Sequence, residues 1–214
     1  DCFRLPGYYR LEGKPAIFVH SPEMAGAELA EITTAAREAG YEGVASVAVT
    51  DDFSETFVKY LRKQGYAAVT SGHEWGRLSP QSPPSAAVSF ERLVKESPAA
   101  WNDKMSSAGE LAYFPLVDTG WDPIPATGQT GFRFAGRSVD LFGELLDRAQ
   151  AFAKKHDCPV VVLGPINGWA EGRYIEPCAD YGFEMYEAIR NTFGRGYPLE
   201  WPVNVGPSDF EEDS

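Results

Sequence analysis

The segment from Pro165 to Gly182, PINGWAEGRYIEPCADYG, places carboxylates and aromatic side chains directly after an apolar run. Glu171 stands close to Trp169, and no helix is predicted to begin there that would need this carboxylate as a cap. A free carboxylate next to an indole can act as a general acid or base on a bound substrate. Glu176 precedes Pro177 near the start of a predicted helix, which favours a role in bracing the loop.

Further carboxylates, indoles and an imidazole follow the ends of other predicted strands. Chemistry in parallel α/β folds gathers at the carboxyl ends of the strands, so these side chains are candidates for one site. Besides Glu171, the candidates are Asp51, His73, Glu74, Trp75, Trp121, Asp122, Asn167, Trp169 and Tyr174. This mixture is typical of a carbohydrate site, because aromatic faces cover sugar rings and polar side chains bond the hydroxyls.

Hydrolysis of a glycosidic bond needs two carboxylates, one on each side of that bond. We therefore predict Glu171, Asp122 and Glu74 as catalytic candidates, and the other residues of the set as substrate-binding. Several of them also have a structural interpretation. His73 could bond a backbone carbonyl, and Trp75 and Trp121 could cover edges of the core.

Other kinds of site find little support in the sequence. No histidine pair has metal-ligand spacing, and no glycine-rich loop with a phosphate-binding lysine joins a strand to a helix, so we expect neither metal nor cofactor. A nucleophile elbow of the G-x-S-x-G type is also missing. The net charge of −12 opposes binding to nucleic acid and favours a neutral or cationic small ligand. No apolar run approaches the roughly 20 residues of a membrane span.

Short apolar runs alternate with amphipathic helical patterns along the chain. The runs that predict strands are PAIFVH, GVASVAVT, YAAVT, LAYFPLV and CPVVVLG. The main helical patterns are AGAELAEITTAAREAG, SETFVKYLRKQG, SVDLFGELLDRAQAFAKKHD and DYGFEMYEAIRNTF, with Ser54 as the N-cap of the second. Because strands and helices alternate without hairpin signals, the sequence predicts an α/β fold with a parallel sheet. The continuous β-branched last strand is predicted to be covered on both faces.

One domain is predicted over residues 1–200. It contains a connection at 78–110 that is rich in proline and serine and holds one short helical piece, SFERLVKE. A connection of this length is usually a functional excursion or a lid. The acidic tail at 201–214 is predicted to be disordered.

At this point a family resemblance emerges. The block NGWAEGRYIEPCADYGFEMYEAIR resembles the signature N-E-W-x-E-G-x-x-(I/L)-E-P…YG…YLEAI of the glycoside hydrolase family 99-like domain, also called the WbsX-like glycosyltransferase domain. The blocks YYRLEGKPAIFVHSPE, FPLVDTGWDPIP and FAGRSVDLFGELLDRA resemble further parts of that domain in the same order. The likeness therefore covers most of the chain.

The resemblance implies a (β/α)8 barrel of the TIM type that acts on glycans. The family's hydrolases are endo-acting α-mannosidases, and other members are associated with surface polysaccharide synthesis. Both glutamates of N-E-W-x-E serve the hydrolases: the second is the acid/base, and the first assists attack by the sugar's own 2-hydroxyl. Glu171 matches the second glutamate. The first is Gly168 here, which has no proton to move.

Two hypotheses follow. The leading one is an enzyme that processes glycosidic bonds of an oligosaccharide or polysaccharide, with Glu171 as acid/base. The alternative is a non-catalytic glycan-binding or assembly module, which Gly168 favours.

The predicted strands correspond to a partial barrel of about five of the eight βα units. We expect an N-terminal barrel segment or another chain to cover the exposed sheet edge.

Overall fold

The structure is a computed structural model that describes residues 2–5, 7–77, 87–128 and 131–194. The first part of the predicted excursion, 78–86, and the predicted acidic tail, 201–214, lie outside the described residues. No helix in the described ranges is long and apolar enough to cross a membrane.

Eleven short strands and six α-helices follow one another along the described ranges. The strands are β1 (Arg10–Leu11), β2 (Lys14–His20), β3 (Ala45–Val49), β4 (Ala68–Thr70), β5 (Ala87–Ser89), β6 (Ala112–Phe114), β7 (Leu116–Asp118), β8 (Arg133–Ala135), β9 (Val162–Gly164), β10 (Asn167–Gly168) and β11 (Arg173–Tyr174). The helices are α1 (Gly26–Glu38), α2 (Glu55–Lys63), α3 (Phe90–Ala108), α4 (Ile124–Thr127), α5 (Val139–Lys155) and α6 (Glu184–Phe193).

The main sheet is parallel and runs in the order β2, β3, β4, β6, and β7 continues it by pairing in parallel with β9. Pro115 separates β6 from β7, because proline has no N–H to donate to a ladder. β6 and β7 thus form one interrupted barrel strand that contacts β4 before the proline and β9 after it. With this strand counted once, the five predicted strands are confirmed. The fold is a partial TIM barrel.

The two faces of this sheet pack differently. Alternate residues such as Ala48, Val69 and Tyr113 belong to the large core beneath the helices. The residues between them form a smaller apolar cluster on the concave face, where Val47 and Phe114 pack with Leu11 of β1. The period-2 pattern therefore separates an outer helical layer from a barrel interior.

Three of the helices, α2, α3 and α5, begin at a serine whose hydroxyl caps them. The Ser54 hydroxyl accepts a hydrogen bond from the Phe57 N–H at the start of α2, which confirms the predicted N-cap. Asp52 bonds the Ser54 N–H just before that helix. The predicted apolar stripe of α5 is also confirmed. Its buried members are Phe142, Leu145, Leu146, Ala149 and Phe152.

The connection at 78–110 is not a long irregular excursion in its described part. α3 has 19 residues there, so the expectation of one short helical piece was wrong. Ser89 caps the helix, and a stripe that includes the fully buried Trp101 attaches it to the core. Pro98 lies inside the helix. Packing of the stripe outweighs the local cost of the proline.

Two hairpins also depart from the prediction of alternating strands and helices only. β1 pairs antiparallel with β2 through a turn in which Glu12 has φ 50° and Gly13 has φ 81°. β10 pairs antiparallel with β11. In addition, β9 is only partly buried along its length, so the prediction that both of its faces are covered was wrong.

Candidate functional site

The β10–β11 hairpin carries Glu171 beyond the carboxyl end of β9. A cis peptide joins Gly164 to Pro165 after that strand, and a single 3₁₀ turn, Trp169–Glu171, forms the tip of the hairpin. Gly172 closes the turn with φ 62°, a backbone conformation that favours glycine. The Glu171 side chain is exposed at this tip.

The tip rests directly on the loop that follows β7. The Asp122 N–H donates a hydrogen bond of 2.7 Å to the Glu171 carbonyl. Any side chain at Gly172 would begin 2.8 Å from the Asp122 Cβ, so the two loops are in close backbone contact. Asp122 Oδ1 accepts from the Ile124 N–H at 3.1 Å. Glu171 and Asp122 therefore lie on neighbouring loops, as their strand-end positions predict.

Trp169 provides a fixed, accessible indole at this position. Its ring stacks on Tyr174 with centroids 3.9 Å apart and planes 15° apart, yet the residue remains 46% exposed. Its Nε1 donates a 2.6 Å hydrogen bond to Glu176 Oε2. Glu176 thus braces the loop, which confirms the prediction for that residue. The indole keeps one orientation while part of its surface faces solvent.

Arg137 fastens the hairpin to the neighbouring loop, a role that sequence reasoning missed. Its Nη1 donates to the carbonyls of Thr119, Gly172 and Tyr174 at 2.7, 3.2 and 3.1 Å. The guanidinium also lies over the Tyr174 ring, 4.6 Å from its centroid. One side chain therefore connects both walls of the space in front of Trp169.

That space is an open cavity of about 450 Å³, called the aromatic cleft below. It brings together four residues of the predicted site, Trp121, Asp122, Trp169 and Tyr174. Glu171 does not itself line the cleft but lies in the 3₁₀ turn between two residues that do, Trp169 and Gly172. Asn167, which is exposed, pairs with Tyr174 at the base of the hairpin.

Three other residues of the predicted site lie around a second cavity. Asp51, His73 and Glu74 line a space of about 310 Å³ together with Lys104 of α3. His73 Nε2 lies 3.1 Å from Asp51 Oδ2, so this nitrogen pairs with a carboxylate and not with a backbone carbonyl, which was the structural alternative for this residue. The structure therefore divides the predicted site into two groups.

Glu74 is 3% exposed and pairs with Lys104, whose Nζ lies 3.0 Å from Glu74 Oε2. Burial raises the pKa of Glu74 to about 7, although the Lys104 ammonium opposes the shift. The other carboxyl oxygen, Oε1, is buried and has no hydrogen-bond partner among the described residues. Glu74 therefore lies at the second cavity, paired with Lys104 of α3, and does not line the aromatic cleft.

Trp75 stands between the two cavities. It stacks on His73 with centroids 4.0 Å apart and contacts Trp121 and Phe132, each at 5.3 Å. Trp75 is partly buried against the main core. The sequence leaves open whether Trp75 contacts substrate or covers an edge of the core. Its packing matches the second interpretation. Trp121 fits both interpretations, since it contacts Trp75 and also lines the aromatic cleft.

A buried ion pair beneath the hairpin is a second feature absent from the predicted site. Asp118, at the end of β7, is fully buried and lies 3.4 Å from Arg173 Nη2. Arg173 also donates to the Gly72 carbonyl at 3.0 Å, and Asp118 accepts from the Glu74 N–H at 2.9 Å. Burial raises the pKa of Asp118, and the guanidinium acts against that shift. The pair connects the hairpin to the loop of His73.

Gly168 occupies a position with no room for a side chain. A Cβ there would lie 2.7 Å from the Arg173 carbonyl oxygen and 3.0 Å from Pro165 Cγ. Contacts this short with backbone require the hairpin to shift. The local backbone is therefore built around glycine. Within the described ranges, no group of three or more His, Cys, Asp or Glu side chains is arranged to hold a metal ion.

A partial (β/α) barrel with its polar and aromatic side chains at the carboxyl ends of the strands is the architecture of a glycoside hydrolase-like fold. A solved structure described as a glycoside hydrolase-like protein matches with a TM-score of 0.61 and 19% identity. The match covers 90% of this chain and 57% of that one, so this chain spans little more than half the length of that relative.

The family follows from the sequence. The family model described as "Glycosyltransferase WbsX" matches residues 1–189, and the chain belongs to that family. This family is carbohydrate-active and related to glycoside hydrolase family 99, as the motif resemblance predicted. No curated protein matches the chain.

Proposed function

We propose that the protein binds an oligosaccharide or polysaccharide in the aromatic cleft and cleaves a glycosidic bond there, with Glu171 as acid/base. The observation that carries this proposal is the juxtaposition of a fixed, exposed Trp169 with two carboxylates on touching loops, Glu171 and Asp122. Membership of a carbohydrate-active family supports the substrate class.

Binding rests on the stack of Trp169 on Tyr174. An indole that is held in one orientation can cover the apolar face of a sugar ring without losing rotational freedom on binding. Trp121 offers a second aromatic surface across the cleft. Asn167 lies at the hairpin base, where its amide can bond hydroxyl groups.

The chemical step follows from the two carboxyl groups. Glu171 donates its proton to the glycosidic oxygen as the bond to the anomeric carbon breaks, and water completes the hydrolysis. Gly168 cannot assist attack by the 2-hydroxyl, so the second carboxylate comes from elsewhere. Asp122 is the best candidate, because Oδ1 bonds the Ile124 N–H and Oδ2 remains for water or a sugar hydroxyl. Glu74 and Asp51 line the other cavity.

The second candidate function is a glycan-binding module without turnover. The close contacts at Gly168 favour it, since the hairpin backbone leaves no space for the glutamate that the family motif has at this position. In that case the aromatic cleft keeps its binding role and Glu171 contributes hydrogen bonds only.

The test compares Glu171→Gln and Trp169→Ala with the unmodified protein on mannan-type and other polysaccharides. We expect Trp169→Ala to weaken binding by about 10-fold or more, because stacking contributes roughly 1–3 kcal/mol. Glu171→Gln should abolish release of oligosaccharide while binding persists. Glu28→Gln, an exposed carboxylate on α1, serves as the matched control.

Each alternative outcome has a distinct meaning. Undiminished turnover by Glu171→Gln would contradict its role as acid/base. Binding that depends on Trp169, with no turnover in any variant, would select the binding module. Binding that is unaffected by Trp169→Ala would contradict the aromatic cleft as the site.

A further inference from the structure

Two arginines lie at the aromatic cleft of a chain whose net charge is −12. Among the described residues that line it, two are arginines, Arg133 and Arg137, and one is a carboxylate, Asp122. With Glu171, which lies in the adjoining turn, the formal charges at the cleft balance, whereas the chain as a whole is strongly acidic.

Arg133 is held at the cleft by its strand. β8 pairs with β5, and the Phe134 N–H donates a 2.8 Å hydrogen bond to the Trp121 carbonyl. All three residues of β8 line the cleft, but Phe134 is buried, whereas Arg133 and Ala135 are more exposed. Alternation along the strand therefore directs the Arg133 side chain away from the core.

The guanidinium of Arg133 has no carboxylate within ion-pair distance among the described residues. Within those ranges it makes neither a hydrogen bond nor an ion pair, although the residue is partly buried. Arg137 differs, because its Nη1 bonds three backbone carbonyls. Neither arginine forms an ion pair with Asp122, whose Oδ1 bonds the Ile124 N–H. Arg133 is thus a cation on β8 whose N–H groups donate no hydrogen bond within the described part of the chain.

We infer that the aromatic cleft recognises a glycan that bears an anionic group, and that Arg133 is the residue that contacts this group. The inference rests on the proposed glycan binding and narrows its substrate class. A guanidinium presents paired donors that match a carboxylate or an ester of phosphate or sulfate. The net charge of the chain disfavours an anionic ligand. Salt screens this long-range repulsion, so a short-range contact with Arg133 can still favour a glycan that bears one anionic group.

The experiment measures binding of oligosaccharides of equal length by titration calorimetry. One arm is neutral, one contains uronic acid, and one carries phosphate or sulfate esters. We expect at least one anionic arm to bind about 10-fold or more tightly than the neutral arm. Arg133→Met should lower the affinity for the anionic arm about 10-fold and bring it near that for the neutral arm, and Arg133→Lys should retain part of the preference. Arg148→Met, on the exposed face of α5, is the matched control.

The result that overturns the inference is equal affinity for neutral and anionic glycans, or an equal loss of both in Arg133→Met. Binding that still depends on Trp169 would then leave the proposed function intact. If no glycan of any charge binds, the proposed function itself fails. The anionic arm that binds more tightly shows whether the recognised group is a carboxylate or an ester of phosphate or sulfate. Circular dichroism of each variant verifies that it is folded.

Discussion

Gly168 constrains what the hairpin can do at the scale of a single residue. A Cβ at this position would meet the Arg173 carbonyl oxygen at 2.7 Å, and a carbonyl in a paired strand cannot move without its neighbours. The backbone is therefore built around a glycine at the position where the family motif has a glutamate. Simple restoration of a glutamate would disturb the turn that presents Glu171.

Gly168→Ala is expected to destabilise the protein by about 1–3 kcal/mol through overpacking. Gly143→Ala is the matched control, because Gly143 lies inside α5 and a Cβ added there would have no neighbour within 4 Å. Alanine at that position should stabilise the helix by up to about 1 kcal/mol. Urea denaturation of both variants measures the difference. Equal effects would show that the hairpin adapts easily.

Glu74 predicts a pH dependence whose sign follows from its raised pKa. The unfolded carboxyl titrates near its ordinary value of 4.5 and the folded one near 7, so the folded state binds the proton more tightly. This group therefore lowers stability as the pH rises from about 4.5 to 7, by a total on the order of 3 kcal/mol. Below 4.5 the penalty is absent, and above 7 it is constant.

Glu74→Gln should remove this decline from the curve of unfolding free energy against pH. In this variant Lys104 loses its carboxylate partner but keeps its hydrogen bonds to the Ser71 hydroxyl and the His73 carbonyl, so the comparison rests on the slope of the curve and not on its absolute height. Glu144→Gln, an exposed member of an i,i+4 pair, should leave the slope unchanged. An identical slope in Glu74→Gln and the unmodified protein would contradict the assignment.

At the scale of elements, the β10–β11 hairpin depends on Arg137 more than on its own two-residue ladders. Arg137→Met removes three hydrogen bonds to backbone carbonyls that lie on both walls of the aromatic cleft. We expect faster amide hydrogen exchange at 167–174 and weaker glycan binding, with global stability less affected. Arg148→Met again provides the control. Unchanged exchange in the hairpin would mean that the strands hold without this arginine.

Local pattern predicted the elements where one face is apolar and a cap is present. α5 and α2 follow from their amphipathic patterns and α2 also from its cap Ser54, and the parallel strands follow from short β-branched runs. The extent of α3 did not follow, because Pro98 interrupts its pattern and only tertiary packing of Trp101 explains its length. The hairpins are too short to produce a periodic signal.

The rule that functional residues follow strand ends predicted only part of the candidate site. The rule gives the position at which each strand ends but not the direction of the side chains that follow. Trp121, Asp122, Trp169 and Tyr174 line one cleft, whereas Glu74 bonds Lys104 of α3, a partner that is distant in the sequence. The roles of Arg137 and Arg173 depend on backbone carbonyls, which leave no mark on the sequence.

At the scale of the whole molecule, five parallel strands curl around a concave face that remains open on one side. β1 pairs with β2 only as far as Pro15, so the rest of that edge of β2 has no partner among the described strands. Phe18 belongs to the same row as the buried Val47 but is 42% exposed. We propose that another barrel segment or another chain covers this edge.

Phe18→Ala is expected to cost less than about 1 kcal/mol in the isolated chain, because the side chain is already partly in water. Phe114→Ala, on the same concave face but fully buried, should cost about 3–5 kcal/mol. Denaturation at several protein concentrations measures both. A cost at Phe18 that grows with concentration would identify a second copy as the cover.

The exposure of Trp169 also gives the protein a built-in optical reporter. The other described tryptophans are buried or partly buried, and Trp101 is fully enclosed. A water-soluble quencher such as iodide should therefore reach the Trp169 indole in preference to them, and Trp169→Phe isolates its emission. A sugar that covers this ring would protect it from collisions, so glycan occupancy can be followed by fluorescence without any label.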